Sequence, residues 1–133
     1  MEHPHLGVVR AWFDAFERSD LEAAGELLAR DGVLHVRQPI ELAGDYVGLD
    51  AFLEFYRAKR ARAGDGFAYR VEEFLAGDSS AAAILTLSSG TGGDYQEWKQ
   101  VAIYRIDDGR IVEMWFLEED RDQPPLATGR RRT

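Results

Sequence analysis

The sequence predicts an α+β domain in which a curled antiparallel sheet wraps around three N-terminal helices. Apolar residues at three-and-four spacing mark helices in the first half of the chain. After Gly66 the spacing changes to alternation, broken by turns at Gly77-Asp78, Gly90–Asp94 and Asp108-Gly109. The last strand, ending near Glu119, is largely apolar on both faces. Val112, Met114 and Phe116 form one face, and Ile111, Glu113, Trp115 and Leu117 the other. Such a strand needs cover on both sides. Helices can supply one cover, and a second copy of the chain or a pocket the other.

Leu6, Val9, Trp12, Phe13 and Phe16 form the stripe of a first helix over 6–18. Ser19-Asp20-Leu21-Glu22 fits a capping box for a second. That helix buries Leu21, Ala24, Leu27 and Leu28 and stops at Arg30-Asp31-Gly32. Val33–Arg37 reads as a strand closed by Pro39, and a short strand is possible around Asp45-Tyr46. A third helix runs from about Leu49 to Arg62, with Phe52, Phe55, Tyr56 and Lys59 along one side. Four strands follow: Phe67–Ala76, Ala81–Ser88, Tyr95–Ile106 and the last one. A twisted antiparallel sheet can curl around three amphipathic helices and leave a cavity between the layers.

With 133 residues the chain suits one domain, expected over 1–123, with 124–133 a disordered basic tail. The absence of cysteine removes disulfides and thiolate chemistry and fits a reducing cytoplasm. No apolar run is long enough for a membrane span, and Met1–His5 does not resemble a signal peptide. The net charge is −8; without the +3 of Arg130–Arg132 the body carries −11. Such a surface repels phosphate backbones and anionic lipid, which argues against nucleic-acid or membrane partners. His3 and His5 lack a third ligand in the sequence pattern, and Gly90, Gly92 and Gly93 mark a hairpin turn with neither the helix nor the lysine of a phosphate loop.

Three stretches carry a family likeness: Val33–Val36, Leu42–Gly48 and Gln100–Trp115. Together they resemble the SnoaL-like branch of the nuclear-transport-factor-two-like superfamily, with compatible spacing from about Leu6 to Asp122. The resemblance implies a cone-shaped fold, a hydrophobic pocket between sheet and helices, and a homodimer through the sheet. The acids of the best-known activities are missing. The tyrosine, base and second acid of ketosteroid isomerases fall at Trp12, Val36 and Ala102, and the last-strand aspartate of limonene-epoxide hydrolases falls at Phe116. Ala102 also replaces a histidine common among SnoaL-like sequences. Valine and alanine transfer no protons, and indole is no general acid near neutral pH.

By parity with the family, the pocket should be lined by Trp12, Leu34, Val36, Tyr56, Trp98, Gln100, Ala102, Tyr104, Met114, Phe116 and Glu118. Of these, Trp12, Tyr56, Trp98, Gln100, Tyr104, Met114 and Phe116 are the candidate substrate contacts. Trp98 and Gln100 could orient a carbonyl, although the same aromatics could equally fill a core. Three residues are candidates for proton transfer. Glu118 is the carboxylate of pocket parity, unless it is an exposed strand end. His35 is the histidine of the ordered body, although its parity with Val36 turns it to the other sheet face. Tyr46 could close over the pocket from its loop. Lys99 and Glu113 are expected to form an outward ion pair. These readings give a cofactor-free, metal-free cyclase or isomerase acting on a hydrophobic polyketide- or terpenoid-like metabolite. The alternatives are a non-catalytic ligand-binding or accessory dimer, and a module with a filled core.

Overall fold

The structure, a computed structural model, describes residues 3–119. The expected domain end at 123 and the basic tail lie outside the described residues. Helix α1 spans Pro4–Glu17, α2 Leu21–Leu27 and α3 Gly48–Ala63. Six strands follow the order β2(Gly44–Val47), β1(Leu28–Val36), β6(Arg110–Glu118), β5(Gln96–Asp107), β4(Ser80–Ser89), β3(Ala68–Ala76) across one curved, unclosed sheet. No helix among the described residues is long and apolar enough to cross a membrane.

The expected α+β layering is present, with one correction to the sheet. Strand β1 pairs with β6 in parallel, while every other neighbouring pair is antiparallel. Local alternation reveals a strand but not its distant neighbour, so this pairing was not readable from spacing. The parallel contact places the start of β1 beside the start of β6, with β2 beyond it at the edge. The other three strands continue from β6 as hairpins.

Local chemistry sets the helix ends. Pro4 opens α1, where its missing N–H costs nothing. Asp20, not Ser19, caps α2 by accepting from the Ala23 amide at 3.1 Å, while Ser19 sits at φ 55 in the preceding turn. Helix α2 is also shorter than its apolar stripe suggests. Leu28 already opens β1 opposite Ile111, and the chain then bulges before pairing resumes at Val33↔Glu113. Gly32 fits this bulge because a Cβ there would come 2.7 Å from Leu28 Cδ1 and 3.1 Å from the Ile111 carbonyl oxygen. Leu28 stays buried, so the burial demand is met by a strand in place of a helix.

A second bulge inverts another expectation. Strand β6 pairs Glu113 with Arg105 but Ile111 with Ile106, leaving Val112 without a directly opposed residue. Ile111 therefore faces inward and is fully buried, not placed on the outer face beside Trp115. The inner face packs against α1, α2 and α3 to form one core that includes Val9, Trp12, Phe52, Phe55, Leu85, Tyr104, Met114 and Phe116. The outer face carries Ile84, Val101, Ile103, Trp115 and Leu117, of which Leu117 is exposed and the others half-buried.

Candidate active site

A cavity lies between the helices and the inner face of the sheet. Trp12, Phe13 and Phe16 reach it from α1, and Phe52, Tyr56 and Lys59 from α3. Both sets follow the one-face spacing of a helix. Alternate residues of β5, Gln100 and Tyr104, face it together with Phe116 of β6, and Tyr69, Leu85 and Leu87 complete the sheet wall. The aromatic rings pack edge to face, Trp12 lying 4.7 Å from Phe16 and 5.2 Å from Phe52. Their own volume closes most of the space. The open cavity measures about 60 Å³. Tyr56, Phe67 and Tyr69 also line an outer groove of about 260 Å³ with Glu17, Arg60 and Ala68, so cavity and groove share a wall.

The polar end of the cavity is a buried charge cluster. Lys59 Nζ lies 2.9 Å from Glu118 Oε2, with each side chain only 8% exposed. The ammonium also donates to Gln100 Oε1, and the faces of Phe116 and Phe55 lie 5.6 and 5.8 Å from Nζ. Glu118 Oε1 accepts from the Trp98 indole N–H at 2.6 Å. Burial holds the Lys59 pKa below the ordinary lysine value, opposed by the charge of Glu118 and its hydrogen bond. Glu118 further borders a shallow hollow of about 340 Å³, lined by Arg37, Gln38, Lys99, Val101, Leu117 and Glu119. This carboxylate thus touches both the buried amine and a solvent-open recess.

Of the candidate contacts, Trp12, Tyr56, Gln100, Tyr104 and Phe116 line the cavity. Trp98 stands behind it and reaches it through Glu118, while Met114 is buried outside the lining. The candidates for proton transfer separate. Glu118, expected in the lining with Leu34, Val36 and Ala102, is outside it like them and meets the cavity only through Lys59; Tyr46 packs 5.1 Å from Phe55, and its hydroxyl donates to the Leu42 carbonyl at 2.6 Å. That bond occupies its proton, and Tyr46 does not line the cavity. His35 is on the outer sheet face. Sequence reasoning placed Lys59 on the α3 stripe without giving it a role. Its period-matched position among Phe52, Phe55 and Tyr56 was the available signal, but a lysine there also reads as a stem with its head in water.

On the outer face His35 is clamped between two carboxylates, Nδ1 at 2.8 Å from Asp45 and Nε2 at 2.6 Å from Glu113. Two acceptors favour the imidazolium, which can donate from both nitrogens. The hydrogen bonds to Asp45 and then Glu113 raise the His35 pKa, with burial opposing. The clamp ties edge strand β2 to β1 and β6. Its contribution is complete below the unfolded histidine value near 6.5 and fades as pH rises through the higher folded value. A His35→Gln variant should therefore lose a few degrees of melting temperature at pH 6, and its deficit relative to wild type should shrink toward pH 9. A deficit independent of pH would show that packing against Trp115, 5.4 Å away, matters more than charge.

Glu113 completes its bonding with Arg105 at 2.9 Å, not with Lys99. The β5–β6 register puts Arg105 directly opposite Glu113, whereas Lys99 reaches Thr86 at 2.7 Å. His3 Nδ1 accepts from the His5 amide, and His5 Nδ1 lies 3.0 Å from the Gly77 carbonyl oxygen, which assigns both rings local roles at the start of α1. No three histidine or acidic side chains converge to hold a metal among the described residues.

Two tyrosines in the sheet wall are held neutral. Burial, and then the charges of Glu17 and Tyr56, push Tyr69 up to about 12, and burial also raises Tyr104 strongly. They can donate hydrogen bonds near neutral pH but cannot serve as bases there.

Comparison with known proteins agrees with this architecture. The SnoaL-like domain family matches residues 9–114. No curated protein sequence matches the chain. Among solved structures, an NTF2-like protein of unknown function from Burkholderia pseudomallei K96243 superposes with TM-score 0.73 at 22% identity, covering 89% of this chain and 92% of its own. TerC, co-crystallised with polyporic acid, gives 0.74 at 16%, with coverage of 88% and 92%. A candidate polyketide cyclase from Sinorhizobium meliloti gives 0.62 at 22%, with coverage of 84% and 94%. At these identities the likeness concerns the fold. The family match covers most of the chain, and with the helix-on-sheet architecture it places this protein in the SnoaL-like family.

Proposed function

We propose that this SnoaL-like protein is a cofactor-free enzyme that moves protons on a small, flat, largely apolar metabolite of polyketide or terpenoid type, in a cyclase- or isomerase-like reaction. The observation that carries this reading is the buried Lys59–Glu118 pair, whose ammonium lines an aromatic cavity while its carboxylate stands behind it and borders the outer hollow. The buried ammonium is placed to stabilise negative charge developing on a substrate oxygen, and Gln100 holds its direction. Glu118 is the group that can accept a proton and exchange it with the outer hollow. The aromatic rings would stack on the ligand and exclude water. Two neighbours support the substrate class, TerC by its polyporic acid and the Sinorhizobium protein by its candidate activity.

This reading needs the cavity to open. A space of about 60 Å³ is well below the roughly 300–1,000 Å³ of ordinary ligand sites. Rotation of Tyr56 or Phe67, the shared wall between cavity and groove, would join the two spaces. The small volume favours the second reading, a non-catalytic pocket that admits only a small ligand. The apolar outer face, Ile84, Val101, Ile103, Trp115 and Leu117, is the surface through which a homodimer would form, and a cytoplasmic setting suits a chain without cysteine.

The test is a thermal-shift screen against aromatic polyketides, hydroxyquinones and terpenoid ketones, followed by product analysis. A ligand near 100 times its Kd should stabilise the fold by about 2.7 kcal/mol, a shift of several degrees. Wild type should convert that ligand, and Glu118→Gln should bind it with conversion reduced at least about 100-fold. Binding with no conversion by wild type would establish the second reading. No stabilisation by any member of the panel would defeat both.

A further inference from the structure

The chain uses its basic residues unequally. It contains fourteen arginines and only two lysines, Lys59 and Lys99. Lys99 lies on the surface with 59% of its side chain exposed, while Lys59 is buried in the cavity wall. An arginine at position 59 could supply a permanent positive charge and a forked hydrogen bond to a carboxylate. A lysine can do something arginine cannot: it can lose its proton and present a nucleophilic nitrogen.

The surroundings of Lys59 suit that use. Gln100 and Glu118 account for two directions around Nζ, and the remaining side is bordered by the rings of Phe55 and Phe116. A ligand in the cavity would approach from that apolar side. Tyr104 lines the same cavity with its side chain fully buried, and no described residue makes a hydrogen bond with its hydroxyl. A buried hydroxyl of this kind normally finds an acceptor, which a carbonyl-bearing ligand would supply.

We propose that Lys59 is an imine-forming nucleophile and that the site takes a small aldehyde or ketone. This deepens the proton-transfer reading of the pocket and rests on it. The step balances within the pair. Glu118 takes a proton from the Lys59 ammonium, and the neutral nitrogen forms a bond to the carbonyl carbon as the C=O π electrons move to oxygen. A proton lost by nitrogen goes to that oxygen and gives the carbinolamine. Protonated Glu118 then returns its proton to the hydroxyl, which leaves as water while the nitrogen lone pair closes the C=N bond. The products are a protonated imine on Lys59, an ionised Glu118 and one water; no oxidant or reductant takes part. Burial supports the first transfer by disfavouring the ammonium.

The experiment is reductive trapping of the folded chain with propanal or benzaldehyde and sodium cyanoborohydride, read by intact mass and peptide mapping. At pH 7.5 Lys59 should be alkylated at least about tenfold faster than exposed Lys99, because burial disfavours the Lys59 ammonium and the pair with Glu118 gives its proton a place to go. Glu118→Gln should slow trapping, and Lys59→Arg, which keeps a cation beside Glu118, should abolish the cavity adduct while the protein remains folded by circular dichroism. Alkylation of Lys99 with Lys59 untouched by both aldehydes would overturn the proposal. Ligand conversion by wild type without any trapped imine would overturn it while leaving the proton-transfer reading intact. Failure of the ligand screen and of trapping together would defeat both.

Discussion

Replacing Lys59 with methionine is expected to destabilise the protein by about 3–5 kcal/mol, the usual result of removing one partner from a buried ion pair. Methionine fills much the same volume, so the loss comes mainly from Glu118. Its Oε1 would keep the Trp98 indole, but Oε2 would face an apolar wall without its cation. The double variant Lys59→Met/Glu118→Gln should recover most of the loss and lie within about 1 kcal/mol of wild type, or above it, because desolvating both charges is itself costly. Glutamine retains an acceptor for Trp98. Urea unfolding of wild type, both single variants and the double variant gives the coupling directly. A single-variant loss below about 1 kcal/mol would mean that the pair behaves as an exposed one, removing the desolvated site on which the functional reading stands.

The pH dependence has a definite sign. The folded Lys59 pKa lies below its unfolded value, so between the two the unfolded chain binds more protons. Stability relative to Lys59→Met should therefore rise with pH toward the unfolded value near 10.4. The buried tyrosines work in the opposite direction. Tyr69, raised to about 12, and Tyr104, raised by burial, remain neutral in the fold while their unfolded counterparts ionise near pH 10. Their contribution is lost as pH climbs above that value.

The parts of this site readable from sequence were those encoded by period. Alternation placed Trp98, Gln100, Ala102 and Tyr104 on one face of β5, and all are buried. Three-and-four spacing put Trp12, Phe13, Phe16, Phe52 and Tyr56 on inward helical faces, and all line the cavity. Bulges break such counting, because one extra residue exchanges the two faces of a strand. Ile111 changed sides for that reason, and Leu28 passed from helix to strand at the irregular start of β1. The parallel β1–β6 contact and the Lys59–Glu118 pair depend on residues far apart in the chain, for which local pattern has no signal. Lys59 had only its place on the stripe and the scarcity of lysine to mark it.

Phe116→Ala should produce the other large effect, a loss of about 3–5 kcal/mol from lost burial and the void left behind. The ring is 8% exposed and stands 6.2 Å from Phe52 and 5.9 Å from Phe55, so its removal uncovers several neighbours at once. Because it also lines the cavity, the void would merge with the existing space of about 60 Å³. Most of that lining is aromatic, so the enlarged space should accept small aromatic molecules. Benzene or toluene at saturating concentration should therefore return several degrees of melting temperature to Phe116→Ala and far less to wild type. Rescue confined to the variant would show that the aromatic rings limit what the cavity holds. Equal stabilisation of wild type would show that the rings already part for a ligand of that size. A variant that loses stability but gains nothing from either compound would mean that the walls collapse into the space. Phe116 would then be a core residue, with no part in setting the size of the site.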